Sequence, residues 1–125
     1  MAGCISQSNA GLIFMKKSEV WILELPEGKG HEQKGERPAI VLARANHLLL
    51  VVPLTSNLDH AQFSFTELVE QTPENGLSAD SIALVYQLSS QDESRLKRKI
   101  GNIAKEKQEA IDKLILEMFK IQLKP

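Results

Sequence analysis

Two short polar stretches of the chain hold the residues best suited to chemistry. The first contains His31, Glu32 and Arg37, and the second runs from Thr55 to Asn57. A guanidinium stays protonated and can bind two phosphate oxygens, a hydroxyl can donate a hydrogen bond, and a carboxylate or imidazole can transfer a proton. This combination suits cleavage of RNA by its own 2′-hydroxyl, which needs a base, an acid and donors for the charged phosphorane. The substrate supplies the nucleophile, so this chemistry requires neither a metal nor another cofactor.

Two predicted β-strands must position these residues. Segments 38–43 and 47–54 are apolar and rich in branched side chains, which is typical of buried strands. If they pair antiparallel through a turn at 44–47, Arg37 and Thr55 lie together at the other end of the hairpin. Pro53 cannot donate to a β-ladder, so we expect it at a strand end or a sheet edge.

The rest of the chain has a mainly β pattern followed by one helix. Further strands are predicted at 19–25, 62–68 and 81–88, and the polar, glycine-containing segment 27–36 is predicted to be a surface loop. Apolar residues then recur at helical spacing between 105 and 120, at Ile111, Leu114, Ile115 and Met118. One helix after five or six short strands indicates a strongly bent sheet or small barrel, with the helix covering one opening.

Composition indicates one soluble domain without a global positive charge. The chain has 125 residues, 42% of them hydrophobic and 25% charged, and a formal net charge of −1. Any RNA-binding potential must therefore be local, made by a few Lys and Arg residues around a groove. The single Cys4 and the lack of a membrane-length apolar run or secretory signal favour a cytoplasmic location. We expect residues 1–17 to be a flexible N-terminal extension and residues 18–125 to form the functional domain.

Taken singly, each of these signals also has a purely structural explanation. An arginine just before a strand often lies in a solvated salt bridge. A Thr-Ser pair after a strand often satisfies backbone groups of a turn. The basic run 95–99 is either a patch that follows phosphates or only a solvated edge of the protein.

The order of the motifs is more specific than any one of them. Gly-His-Glu-Gln occupies 30–33, Arg-Pro-Ala-Ile-Val-Leu occupies 37–42, and Pro-Leu-Thr-Ser occupies 53–56. Asp80 to Val85, Gln87 and the segment 92–101 continue the pattern. From about Ser18 to the final helix, the chain resembles the MazF/PemK toxin family.

The resemblance implies a small SH3-like barrel of the CcdB/Kid/MazF type with a C-terminal amphipathic helix. It implies a symmetric homodimer whose groove takes single-stranded mRNA and cuts it at selected sequences, independently of the ribosome, leaving a cyclic phosphate and a 5′-hydroxyl. A MazE-like antitoxin, whose disordered tail lies across the groove, is the implied inhibitor.

The resemblance also assigns roles to individual residues. Arg37 and Thr55 match the family's main catalytic pair, and Glu32 and His31 lie in the adjoining loop as accessory proton-transfer groups. The residues expected to bind substrate are Gln33, Lys34, Ser56, Asn57, Gln87, Arg95 and Lys97.

The chain departs from the family pattern in two places. Some members carry an Arg and an Asp on the strand occupied here by Leu84 and Tyr86, and that Asp is proposed as the base; without it, that version of the mechanism cannot apply here. Ser89-Ser90 replaces an Arg-Thr pair, which removes a cation near the groove. The alternatives to an RNA-cutting toxin are a non-cutting toxin of the same fold that inhibits a protein such as gyrase, and an inactive copy that titrates antitoxin.

Overall fold

The computed structural model describes residues 16–26, residue 30 and residues 35–123, with side chains up to residue 120. Most of the expected N-terminal extension therefore lies outside the described residues. The described part forms seven strands and one long helix: β1 Glu19–Leu25, β2 Gly35–Ala45, β3 Leu48–Thr55, β4 Thr66–Val69, β5 Ser81–Leu84, β6 Ser89–Asp92, β7 Leu96–Asn102 and α1 Lys105–Leu123.

The strands form one antiparallel, strongly bent sheet in the order β4-β5-β3-β2-β1-β7, with β6 paired to β3. The segment between β4 and β5 folds back onto β7 at the far end of this order. There the Asn102 N–H donates to the Glu74 carbonyl oxygen at 2.8 Å. The two ends of the sheet are thereby brought together, as the predicted bent sheet or small barrel requires.

Two apolar clusters fill the two sides of the bent sheet. One contains Ile40, Val52 and Leu54 and is covered by α1 through the fully buried Ile111. Leu114, Ile115 and Met118 pack against the same cluster, which confirms the predicted apolar face of the helix. The other cluster surrounds Trp21 and includes Leu23, Leu25, Ala39, Val41, Leu49 and Val51.

The hairpin of β2 and β3 is longer than predicted. Arg44 and Ala45 were predicted to lie in the turn, but they pair with Leu49 and Leu48 as part of the ladder. The turn itself is formed by Asn46 and His47, both with positive φ. Because the chain reverses within these two residues, β2 extends to Ala45.

The prediction that Pro53 marks a strand end or edge was wrong. Pro53 is buried within β3, which is a central strand, and lies opposite Ala39. On its other side, β3 pairs with β6 up to Val51 and with β5 from Leu54 onward. Pro53 lies between the end of the β3–β6 ladder and the start of the β3–β5 ladder. Its missing N–H therefore interrupts neither of these two ladders.

Two predicted strands are shorter than their sequence pattern. Residues Leu58–Gln62 form a 3₁₀ helix, and β4 begins only at Thr66. Phe63 and Phe65 therefore lie in the connection, and Phe65 has a left-handed backbone with φ 60°. β5 ends at Leu84, after which Val85–Gln87 forms another 3₁₀ turn.

Candidate active site

The hairpin brings Arg37 and Thr55 to the same end of two paired strands, as predicted. The β2–β3 ladder reaches Ala39 opposite Pro53, and the same register continued by two residues places Arg37 opposite Thr55. Side chains alternate along a strand, so both belong to the face that carries Leu23, which lies opposite Arg37 on β1. The backbone therefore places Arg37 and Thr55 at the same end of the hairpin and on the same face of the sheet.

The two side chains differ in their exposure. Arg37 is exposed, whereas Thr55 is only 6% exposed and ends the buried face of β3. The Thr55 Oγ1 accepts a hydrogen bond from the Asn57 N–H at 3.2 Å. That bond uses one acceptor site and leaves the hydroxyl proton as a donor. The next hydroxyl, on Ser56, is exposed.

A pocket of about 280 Å³ lies beside this hairpin end. Its polar lining residues are two arginines and three serines: Arg37, Arg98, Ser56, Ser78 and Ser81. Its apolar floor includes Ile22, Pro38 and Leu54. Guanidinium and hydroxyl groups donate hydrogen bonds to oxyanions, so this lining suits a phosphate group. Thr55 is not among the lining residues, while its neighbour Ser56 is.

Arg98 is a pocket residue that the sequence interpretation did not include in the site. Ile22 of β1 lies opposite Pro38 on one side and Arg98 on the other. Only β1 therefore separates Arg98 on β7 from Pro38, the residue that follows Arg37 on β2. The basic run 95–99 was a visible signal in the sequence, but only the pairing of β7 with β1 shows which of its cations lies at the pocket.

Four other predicted substrate-binding residues are placed as follows. Asn57 is exposed and caps the 3₁₀ helix, its side chain accepting from the Asp59 N–H at 3.1 Å. Gln87 is half-buried, and its amide donates to the Tyr86 hydroxyl at 3.3 Å. The Arg95 guanidinium donates to the Glu24 carbonyl at 3.2 Å, which holds it against the end of β1. Lys97 is exposed, at an irregularity in the β1–β7 ladder.

The remaining predicted site residues lie outside the described residues. These are the accessory groups and their neighbours in the chain segment between β1 and β2: His31, Glu32, Gln33 and Lys34. The described residues on either side of this segment belong to the β1–β2 ladder, which pairs Leu25 with Gly35 only two residues from Arg37.

Two wider properties concern the described part of the chain. Residues 16–26, 30 and 35–123 contain no cluster of three or more His, Cys, Asp or Glu side chains arranged to hold a metal ion. Nor is there, within the same residues, a helix both long and apolar enough to cross a membrane.

The fold and the pocket define a small β-sheet protein with a local cationic, hydroxyl-lined site on an otherwise nearly neutral chain. A model of the PemK-like, MazF-like toxins of type II toxin–antitoxin systems matches residues 16–119. The chain belongs to this family, which confirms the prediction made from its motifs.

Similarity to individual proteins agrees with this assignment. Endoribonuclease MazF9 of Mycobacterium tuberculosis is 33% identical over 100 residues, which cover 72% of this chain and 83% of that protein. MazF of Deinococcus radiodurans superposes with a TM-score of 0.67 at 22% identity, covering 83% of this chain and 94% of that one. In a MazE–MazF crystal structure from the same organism, the matching chain gives a TM-score of 0.62 at 22% identity, covering 86% and 98%. These structures confirm the predicted MazF-like fold.

Proposed function

We propose that this chain is the endoribonuclease toxin of a type II toxin–antitoxin system. The single observation that carries the proposal is the placement of Arg37 and Thr55 at the same end of the β2–β3 hairpin, beside a pocket lined by Arg37, Ser56 and Arg98. Family membership and the endoribonuclease name of the Mycobacterium relative support it.

The chemistry follows from the groups that this end of the hairpin presents. Arg37 binds the scissile phosphate and stabilises the charge of the phosphorane. Thr55 donates a hydrogen bond to a phosphate oxygen. Glu32 or His31 removes the proton from the 2′-hydroxyl, whose oxygen attacks phosphorus. The bond to the 5′-oxygen breaks as that oxygen takes up a proton, leaving a 2′,3′-cyclic phosphate and a 5′-hydroxyl.

The proposed partners follow from the same reasoning. The substrate is single-stranded mRNA, because its splayed bases and backbone fit a groove with only local positive charge. The toxin acts as a homodimer and is neutralised by a MazE-like antitoxin. The MazE–MazF complex known for the Deinococcus protein supports the antitoxin proposal.

Replacement of Arg37 tests the proposed reaction. Arg37→Ala should slow RNA cleavage about a hundredfold or more, because it removes a positioned donor to the developing charge. Arg37→Lys is the matched control for charge: it keeps one cation but loses the two-pronged geometry, so it should restore only part of the activity. The assay uses purified chain and unstructured RNA in a metal chelator, with cut ends mapped by sequencing.

Two outcomes would contradict the proposal. If Arg37→Ala cuts RNA as fast as the parent, Arg37 is not part of the active site. If the folded parent chain cuts no RNA at any sequence, the chain is a non-cutting or inactive member of the family. Circular dichroism of each variant separates loss of activity from loss of fold.

A further inference from the structure

We propose that an aromatic cluster beyond the candidate active site stacks a nucleobase of the bound RNA and contributes to sequence preference. The cluster consists of His60, Phe63, Phe65 and Tyr86, which line a cavity of about 570 Å³ together with Ser64. The inference rests on the proposed function and names a binding site that the catalytic chemistry does not use.

The rings are arranged to accept a flat, polar partner. The Phe63 ring contacts both neighbours edge to face, with its centroid 5.5 Å from that of His60 and 6.1 Å from that of Tyr86. Edge-to-face packing leaves ring faces uncovered, and Phe63 and Tyr86 remain 46% and 38% exposed. An exposed aromatic face stacks on any nucleobase, whereas an aliphatic side chain of equal area offers no such geometry.

Polar groups within the cluster favour a nucleobase over a purely apolar partner. The Tyr86 hydroxyl accepts from the Gln87 amide at 3.3 Å and still has its own proton to donate. His60 Nδ1 is buried without a hydrogen-bond partner among the described residues. A buried, unsatisfied nitrogen is costly, and a ligand that lets the imidazole rotate toward a base edge would relieve that cost.

The backbone of the cluster is also in an uncommon conformation. Phe65 has φ 60°, a left-handed value that non-glycine residues rarely adopt. The Tyr86 N–H donates to the Phe65 carbonyl at 3.2 Å, which ties the two ring-bearing segments together. Such strain concentrates at sites where function fixes a side chain, so the rings are held in place before any ligand arrives.

Two short chain segments connect the cluster to the candidate active site. The segment that carries His60 and Phe63 leaves β3 directly after Thr55 and Ser56. Ile82 of β5 pairs with Thr55, and Tyr86 follows only four residues later in the chain. We expect an RNA strand held by its phosphate at Arg37 to place a neighbouring base in this cavity. By contrast, the most exposed apolar residues suited to a second copy of the chain, Leu116 and Phe119, lie on α1.

The first test measures binding of a short oligonucleotide that spans a mapped cut site and carries 2′-O-methyl groups, so that it binds without being cut. Phe63→Ala should raise Kd about tenfold or more, the usual loss for one stacked base. Its affinity should keep the parent's dependence on salt, because no phosphate contact is removed. Phe63→Leu preserves bulk without a ring and should bind as weakly as Phe63→Ala. The matched control is Leu68→Ala, which truncates an equally exposed side chain of β4 outside the cavity and should leave Kd unchanged.

The second test uses the fact that Tyr86 is the only tyrosine in the chain. Incorporation of 3-fluorotyrosine then gives one fluorine NMR signal, which should shift in a saturable way as the oligonucleotide is added. An abasic oligonucleotide with the same backbone should not shift it, because it offers phosphates but no base to stack.

Each contrary outcome identifies a different error. A parent that binds and cuts RNA while Phe63→Ala binds equally well overturns the aromatic site and leaves the proposed function intact. A parent that binds no RNA overturns both proposals. A fluorine signal that shifts with protein concentration in the absence of RNA assigns the cluster to self-association and overturns the base-stacking site.

Discussion

At the scale of single residues, the candidate site presents two adjacent hydroxyls with different surroundings. Thr55 is nearly buried and accepts the Asn57 N–H, so its position is fixed, while Ser56 is exposed and lines the pocket. A fixed donor is worth more in catalysis than a mobile one, because no reorganisation is needed as charge develops. Thr55 is therefore the better donor despite its lower exposure.

Separate removal of the two hydroxyls shows which of them donates to the phosphate. Thr55→Val keeps the shape of the side chain and should reduce cleavage about a hundredfold. It should also destabilise the fold by about 1 kcal/mol, since the Asn57 N–H loses its acceptor. Ser56→Ala should cut at close to the parental rate. Single-turnover cleavage rates, measured well below the melting temperature of each variant, report the result. The reverse pattern, with Ser56→Ala inactive and Thr55→Val active, would transfer the role to Ser56.

A second residue-scale prediction concerns Glu93, at the opposite end of the β2–β3 hairpin. Its carboxylate accepts from the Arg44 guanidinium at 3.0 Å and contacts the His47 ring, and these hydrogen bonds lower the pKa of Glu93 below its usual 4.5. Because the folded-state pKa is the lower one, the stabilisation is present above pH 4.5 and is lost as pH falls through the folded pKa. Glu93→Gln should therefore lower the free energy of unfolding by about 1 kcal/mol at pH 7. Urea titrations of parent and variant across acidic pH should converge; a constant difference would contradict the assignment.

At the scale of elements, closure of the sheet depends on the approach of the β4–β5 connection to β7. Gly76 has φ 70°, and a Cβ added there would overlap the Ile100 carbonyl of β7. Gly101 approaches the backbone of Glu74 and Asn75 in the same way. The backbones at this contact can meet only because neither glycine carries a side chain.

Substitution of Gly76 tests the contact, with Gly35 as the matched control. Both have positive φ, at 70° and 80°, but a Cβ at Gly35 would meet nothing within 4 Å. Gly35→Ala should therefore cost only the backbone strain, about 1 kcal/mol, whereas Gly76→Ala should cost on the order of 3 kcal/mol or more. Midpoints of urea unfolding measure the difference. Equal losses would mean that the backbones at this contact separate easily and do not hold the sheet closed.

At the scale of the whole molecule, the proposed homodimer needs an apolar surface that the single chain leaves uncovered. Leu116 and Phe119 are 60% and 50% exposed, three residues apart on α1. They lie away from the face of the helix that packs through Ile111 onto the core. Adjacent exposed apolar side chains of this size are typical of protein–protein contacts.

We therefore expect the purified chain to sediment as a dimer and the double variant Leu116→Glu/Phe119→Glu to sediment as a folded monomer. Each substitution occurs on both protomers of a two-fold dimer, so the double variant would bury four carboxylates in the interface. Leu68→Glu is the control, a single apolar-to-acidic change at an exposed leucine of β4. A double variant that remains a dimer would place the interface elsewhere on the molecule.

Much of this protein was determined by its sequence alone. Strand β1 and helix α1 follow from the local pattern of hydrophobic residues, and the family follows from the order and spacing of the motifs. The placement of Arg37 and Thr55 at the same end of the hairpin also followed from the sequence. An antiparallel hairpin fixes which residues lie opposite each other once its turn is located to within two residues.

Only the tertiary structure decided the rest, because those features depend on pairings between residues far apart in the chain. Charged β7 was not predicted as a strand, and its register with β1 is what places Arg98 rather than Lys97 at the pocket. Pro53 is tolerated in a central strand only because the strand paired with β3 changes from β6 to β5 beside it. Phe63 and Tyr86 come together where β4 begins later and β5 ends earlier than predicted, next to 3₁₀ turns and the left-handed Phe65. Local propensity reports how a segment prefers to fold, but which side chains share a cavity is set by long-range packing.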